Sequence, residues 1–460
     1  MNAMPLEEFG QKESRRVEEL YILARRHFDK GSLREAARLC YAILDRQRTH
    51  GPTLQLLGAL AHRNGRFGLA ADCFRHATAA MPGDPVPRNN LATALKDWGR
   101  LQEAEAQFHA QLAETPDFLA SHYNFGSLLQ RLHRFDEAIA CYRRAVVLEP
   151  DCVEAHWNLG LTLLRLGRFR EGWPEYEWRW HRPGTPVEHR GAPAWDGGPL
   201  KGKTLLLVCE QGLGDTLQFI RYIRQFGGLD GPVILRCQAE LLSLLRDTPG
   251  VDRIVATGDP LPPFDVQASL MSLPLLFGTT TVESIPADVP YLPPAAGPTL
   301  VLPESGYRVG LVWGSSPTDP SRSCPLAALA RLSQVPDLRL FSLQKGPHAS
   351  DLARMPNVEG IRDLTDRIGD MADTAALIRQ LDLVITVDTS VAHLAGALGR
   401  PVFILLPHLA DWRWLLDRED SPWYPTARLF RQRTPDDWDE VVTRLEEALV
   451  QRIRAWRSSR

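Results

Sequence analysis

Apolar positions fall at helical spacing through the first part of the chain, and the pattern itself recurs every 34 residues. Pro82, Pro116 and Pro150 keep that step, as do Gly58, Ala92, Gly126 and Gly160. So do Ala70, Ala104, Ala138 and Gly172, and the rings Phe74, Phe108, Tyr142 and Tyr176. Leu23, Ala24, Gly31 and Ala36 lie one period upstream, which starts a first repeat near residue 17. The pattern predicts helix-turn-helix units. Small residues sit where the two helices of a unit cross, the aromatic packs on the next unit, and the proline stops the second helix. From residue 203 the pattern changes. Apolar runs at 203–209, 232–237, 253–257, 307–316, 338–346, 383–388 and 401–407 read as buried strands, and amphipathic stretches at 216–226, 239–247, 370–381 and 389–399 read as helices. Continuous apolar strands alternating with helices predict parallel sheets covered on both faces. A Pro-rich stretch, 286–303, separates two such halves.

The 34-residue period and the residue type at each position resemble tetratricopeptide repeats. A concave helical groove of that kind serves to bind a peptide or protein, or to dimerise. The last repeat degenerates into EGWPEYEWRWHRP, whose aromatics are expected to cap the array and bind it to the next domain. The expected organisation is a repeat solenoid over 1–186, a Pro/Gly-rich linker over 187–202, two Rossmann-like halves over 203–303 and 304–435, and a final helix over 436–460.

Composition narrows the function. The 460 residues carry 53 Lys and Arg against 56 Asp and Glu, a net charge of −3 that gives no reason to expect nucleic acid as the main partner. No apolar run is long enough to span a membrane, and the polar start lacks the apolar core of a secretion signal. The seven cysteines are scattered without zinc spacing. They read as small core residues of a protein in a reducing cytoplasm.

Ligands of parallel α/β sheets bind beyond the carboxyl ends of the strands, so candidate chemistry belongs in the strand-to-helix loops. The first, EQGLGDTLQF, holds Glu210, Gln211, Gly212, Gly214 and Asp215. Its glycines allow a tight turn, and Asp215 falls where a carboxylate caps free N–H groups. The second, ITVDTSVAHLAGALGRP, places Asp388 at a strand end, then Thr389 and Ser390 at a helix start, with His393 one turn on. Exposed N–H groups, hydroxyls and an imidazole there suit a diphosphate; capping plus a core histidine is the competing reading. Arg322, in the loop GSSPTDPSRS, offers a donor fork for phosphate oxygens, and Gln344 and Lys345 lie at the neighbouring strand edge. The aromatics of DWRWLLDREDSPWYP suit either stacking on a sugar or packing a late loop, and Asp437 and Asp439 read as a helix cap, not a metal site.

In their order, GWPEYEWRW, EQGLGDTLQFIRY, VGLVWGSS, DTAALIRQLDLVITVDTSVAHLAGALGRPV and DWRWLLDREDSPWYPTARLFRQ resemble the bacterial heptosyltransferase-related glycosyltransferases fused to tetratricopeptide repeats. The resemblance implies a GT-B fold, inverting transfer from a nucleotide-sugar, no cofactor and no essential metal. It makes Asp215 the general base, puts the donor diphosphate on Asp388, Thr389 and His393, and calls for a basic residue that only Arg322 supplies in its loop. The expected function is sugar transfer to a hydroxyl on a protein chosen by the repeats; a scaffold that has lost activity is the alternative.

Overall fold

The computed structural model describes residues 6–182, 192–293, 302, 305–355 and 360–459, with side chains from residue 13. Residues 183–186 of the expected solenoid, 187–191 of the expected linker, and 294–301 and 303 of the Pro-rich stretch lie outside the described residues. The chain forms two compact units, Met1–Thr162 and Leu163–Arg460.

The first unit is built from antiparallel helix pairs: α1 (Leu6–Asp29) with α2 (Leu33–Leu44), α3 (Gly51–Arg63) with α4 (Phe67–Ala80), α5 (Pro85–Asp97) with α6 (Leu101–Glu114), and α7 (Leu119–Arg131) with α8 (Phe135–Leu148). The recurring small residue and aromatic explain one another. A Cβ on Gly58 would stand 2.6 Å from the Phe74 ring, and one on Gly126 equally close to the Tyr142 ring. The aromatic therefore also packs on the glycine of its own repeat, a contact the spacing alone does not assign. It reaches the next repeat as well, where Phe108 stacks on Phe125 at 5.5 Å. The prolines at 82, 116 and 150 follow the ends of α4, α6 and α8 by two residues. The first helix begins at Leu6, upstream of the expected start.

α9 (Val153–Arg165) crosses the division between units, and α10 (Phe169–Tyr176) belongs to the second. That unit contains two parallel sheets. The first has strands β1 (Leu205–Val208), β2 (Val233–Cys237), β3 (Arg253–Ala256) and β4 (Val266–Ser269), in the order β3-β2-β1-β4. Its helices are α11 (Leu213–Phe219), which runs on as a 3-10 helix to Phe226, α12 (Leu242–Leu245) and α13 (Leu273–Leu276). Part of the expected linker is bound to this sheet: Trp195 N–H donates to the Gln267 carbonyl at 2.7 Å, and its buried ring meets Phe226 and Phe277.

The second sheet has strands β5 (Tyr307–Val312), β6 (Leu338–Ser342), β7 (Ile361–Asp363), β8 (Leu383–Val387), β9 (Val402–Leu406) and β10 (Ala427–Arg431), in the order β10-β9-β8-β5-β6-β7. Its helices are α14 (Leu326–Ala330), α15 (Ser350–Arg354), α16 (Met371–Gln380), α17 (Ser390–Ala397) and α18 (Trp438–Ser458). Asp437 caps α18 by accepting the Glu440 N–H at 3.1 Å. Trp438, Val441, Leu445, Leu449 and Ile453 then make one apolar stripe that joins the core beneath this sheet.

In each sheet the chain starts near the middle, winds outward, and then jumps back across its first strand. Loops diverge at that jump, between β1 and β4 in one sheet and between β5 and β8 in the other. Those are the two places where such a fold leaves a crevice for a ligand.

Candidate functional site

At the β5/β8 crevice the wall is open, forming a cavity of about 690 Å³ lined from both halves of the second unit. That volume is in the range of small-molecule sites. Gln211–Asp215 come from the first half; Gly314–Ser316, Arg322, Asp388–Ser390, His393 and the late loop at Asp411 and Arg413 come from the second.

The floor is the β8–α17 turn. Thr389 is the N-cap of α17 in extended conformation, and its side chain does not cap the helix but meets the Thr386 hydroxyl at 3.0 Å. The first N–H groups of α17 thus have no side-chain cap. His393, one turn along, is buried between the Trp414 ring, stacked at 5.3 Å, and Tyr424, whose hydroxyl shares a hydrogen bond with Nδ1 at 2.9 Å. Burial, reinforced by the positive charge of Arg413, pushes its pKa down to about 3, so the imidazole is neutral at pH 7. Its Nε2 lies 4.0 Å from Asp388. Burial and then the nearby Asp411 charge lift the Asp388 pKa to about 6, against the pull of Arg322.

Arg322 stands beside that carboxylate, Nη1 to Oδ2 3.6 Å, with Nε 3.1 Å from Asp319. Nη1 also donates to the Asp388 carbonyl at 3.5 Å, whereas the buried Nε has the Asp319 charge beside it but no hydrogen-bond acceptor. The guanidinium is held in the cavity wall with donor capacity in reserve.

Gln344 and Lys345 line the cavity too, but their polar groups are occupied. The Gln344 oxygen accepts the Trp313 and Gly314 N–H groups at 2.9 and 2.7 Å, and its amide donates to the Gly314 and Lys345 carbonyls. The Lys345 ammonium donates to the Thr365 and Ile368 carbonyls. Both side chains hold the walls in shape.

Across the cavity Gln211 adopts φ +62° and its side chain donates to the Tyr176 hydroxyl at 3.2 Å. Gly212 is the N-cap of α11, and Asp215, three residues on, accepts the Gly212 N–H at 2.8 Å. Asp215 is thus not itself the cap; it closes the turn from inside the helix. Its other oxygen accepts from Arg413 Nη2 at 2.5 Å. Burial raises the Asp215 pKa, and Arg413 opposes that rise. Gly214 lets this loop meet α17: a Cβ there would lie 2.7 Å from His393 Cδ2. The two loops singled out in the sequence are therefore in contact.

Glu210 is elsewhere. It is buried, outside the cavity lining, accepting from Arg179 at 2.7 and 2.9 Å and from the Ser269 hydroxyl. Sequence reasoning missed Arg413, which is buried and also donates to Asp411 at 2.9 Å and Gln218 at 2.8 Å. The late-loop aromatics Trp412, Trp414, Trp423 and Tyr424 are buried packing groups, not a platform, and Trp412 packs against Trp173 and Tyr176 of α10. Among the described residues no group of three His, Cys, Asp or Glu is placed to hold a metal ion, and no helix is long and apolar enough to cross a membrane.

Comparison with known proteins agrees with this architecture. Residues 123–172 match the tetratricopeptide repeat model, and residues 367–406, which carry Asp388, Thr389 and His393, match glycosyltransferase family 9 (heptosyltransferase). Protein FlbA of Caulobacter vibrioides is 27% identical over 500 residues, covering 93% of this chain and 83% of that protein. The peroxisomal targeting signal receptor of Kluyveromyces lactis is 39% identical over 74 residues, 16% of this chain and 13% of the receptor. Among solved structures, the TPR protein TTC0263 of Thermus thermophilus aligns with 38% of this chain and 95% of its own at 19% identity and a TM-score of 0.33. The chain is a tetratricopeptide-repeat array joined to a heptosyltransferase-like region with two Rossmann-like halves.

Proposed function

We propose that the chain transfers a sugar from a nucleotide-sugar donor to an acceptor hydroxyl, with inversion and without an essential metal or cofactor. The observation that carries this reading is the cavity at the β5/β8 crevice, where the uncapped start of α17, a neutral His393 and Arg322 face the Asp215 loop. The leaving nucleoside diphosphate accumulates negative charge as its bond to the anomeric carbon breaks. N–H groups at a helix start, an imidazole that donates, and a guanidinium supply the groups that stabilise it. Asp215, with 17% of its side chain exposed, is the base that takes the acceptor proton. Inversion results if the acceptor oxygen attacks directly from the face opposite the leaving group. The repeats select the acceptor, a protein or peptide, and the seven unpaired cysteines fit a reducing cytoplasm.

The test is a thermal-shift screen of the full chain against UDP, GDP, CDP and dTDP and their sugars. A ligand present at 100 times its Kd adds ~2.7 kcal/mol of stability. Thr389→Ala and His393→Ala are expected to abolish the shift by whichever ligand gives one. An unchanged shift in both variants removes the diphosphate from this turn.

A further inference from the structure

Arg413 is a buried cation that touches both the Asp215 loop and the late loop, and its surroundings are more specific than packing requires. It sits in the 3-10 turn Trp412–Trp414, where Asp411 Oδ1 accepts its N–H at 3.0 Å, so the turn and the guanidinium share an anchor. The flanking Trp412 and Trp414 rings are fully buried, and the guanidinium lies 4.4 Å from the Trp412 ring centre. Nε donates to Gln218, Nη1 to Asp411 and Nη2 to Asp215. With Gly212 on the other oxygen, the Asp215 carboxylate is fixed at both ends. Each carboxylate oxygen accepts one bond there and has a second lone pair.

We propose that Arg413, anchored by Asp411, is the positioning residue of Asp215, aiming its carboxylate and keeping the buried charge balanced while Asp215 takes up and releases a proton. This rests on the reading of Asp215 as the base. In the step itself the acceptor oxygen bonds to the anomeric carbon, the O–H proton passes to Asp215, and the electron pair of the broken C–O bond stays on the diphosphate. Asp215 is neutral at that moment. A guanidinium paired with Asp215 alone is then left as an uncompensated buried cation, a state that buried ion pairs strongly disfavour. With Asp411 as second partner it remains neutralised throughout, and the base can cycle at little electrostatic cost.

The two partners of the fork act on Asp215 in opposite senses. Arg413 favours the ionised form, whereas Asp411, by like charge, disfavours it. The other titratable groups that act on Asp215 or face its loop are Glu210, Tyr176 on α10 and, across Gly214, His393, which has Asp388 behind it.

The experiment uses the full chain labelled with 13C at the aspartate side-chain carboxyl, reading the Asp215 resonance, assigned by its absence in Asp215→Asn, as pH is varied. Arg413→Gln should raise the titration midpoint and Asp411→Asn should lower it, each by about one unit or more. Arg413→Lys keeps the charge without the fork and should fall between wild type and Arg413→Gln; it serves if Arg413→Gln fails to fold. Midpoints that stay put, or that move in the same direction, overturn the proposal. Asp215→Asn with wild-type turnover of the donor that binds would instead overturn the base assignment, and this proposal with it, whatever the midpoints do.

Discussion

Asp388 is expected to weaken the fold at neutral pH, and replacing it should make that visible. Its side chain is only 5% exposed, and its pKa rises from 3.8 to about 6 through burial and the neighbouring Asp411. A carboxylate whose folded pKa lies above its unfolded one adds stability below about pH 4 that is lost as pH climbs through 6. The shift of about 2.2 units amounts to ~3 kcal/mol over the full range, of which ~1.4 kcal/mol falls between pH 8 and pH 5. His393 runs the other way. Its pKa falls from 6.5 to about 3, so the stability it contributes is present above 6.5 and drains away as pH falls, by ~2 kcal/mol between pH 8 and pH 5. In wild type the two slopes nearly cancel. Asp388→Asn removes one of them. Relative to wild type, the variant should therefore lose ~1.4 kcal/mol between pH 8 and pH 5, and His393→Gln should gain ~2 kcal/mol over the same interval. The assay is urea denaturation at several pH values, followed by tryptophan fluorescence, since Trp173, Trp313, Trp412, Trp414 and Trp423 are all buried in the second unit. Taking differences against wild type removes the titrating groups that do not interact with the substituted residue. Curves parallel to wild type in both variants would refute the reasoning.

Two further outcomes rest on single contacts. Asp215→Asn removes a charged partner of Arg413 but leaves Asp411 in place, so unfolding should cost ~1–2 kcal/mol less, while turnover falls ~10²–10⁴-fold; turnover within about threefold of wild type would deny Asp215 the role of base. Gly126→Ala puts a methyl 2.6 Å from the Tyr142 ring and should lower the stability of the repeat unit by ~1–3 kcal/mol, read as an earlier helical melt by circular dichroism; an unchanged melt would mean the helices do not meet where the repeat pattern says.

Local and fully buried patterns are the ones legible in the sequence. Gly58 and Phe74 meet within one helix pair, so their contact recurs as a fixed spacing. β1 and β9 are unbroken apolar runs, and β2, β5 and β8 are largely apolar with a single polar residue each, so these buried strands are legible. β4, β7 and β10 are not legible in that way. The sequence of β4 is VQAS, with two half-exposed positions; β7 is three residues long, and β10, ARLFR, is an edge strand interrupted by the exposed Arg428. Asp388, Thr389 and His393 can be placed together from sequence because a strand end and a helix start lie side by side in the chain and in space. Arg413 cannot, because its partners Gln218 and Asp215 stand 195 and 198 residues away. A cation between two tryptophans, two residues after an aspartate, is the only local sign. Gln344 and Lys345 are a different case: their position at a strand edge puts them in the lining, and the structure adds the backbone carbonyls to which they donate.

The two sheets share the order of their first four strands, and their crevices meet different fates. In the first, Glu210 comes just after β1, Ser269 closes β4 and Ser272 lies just beyond it, so the diverging loops there carry three polar side chains. Arg179, in the 3-10 helix after α10, bridges that gap with bonds to Glu210 and to the Ser272 hydroxyl at 2.7 Å, and is itself 2% exposed. A ligand there would have to displace a buried ion pair, whose rupture costs ~3–5 kcal/mol. In the second sheet Arg322 reaches from the loop after β5 to Asp388 after β8, 3.6 Å away, but it lies in the wall and the cavity remains. The first half therefore serves the site through one loop, Gln211–Asp215, held from behind by Arg179 on Glu210 and from the front by Arg413 on Asp215. A carboxylate clamped from both sides has little freedom to move, so if Asp215 is the base, as proposed, the acceptor hydroxyl is expected to be brought to it.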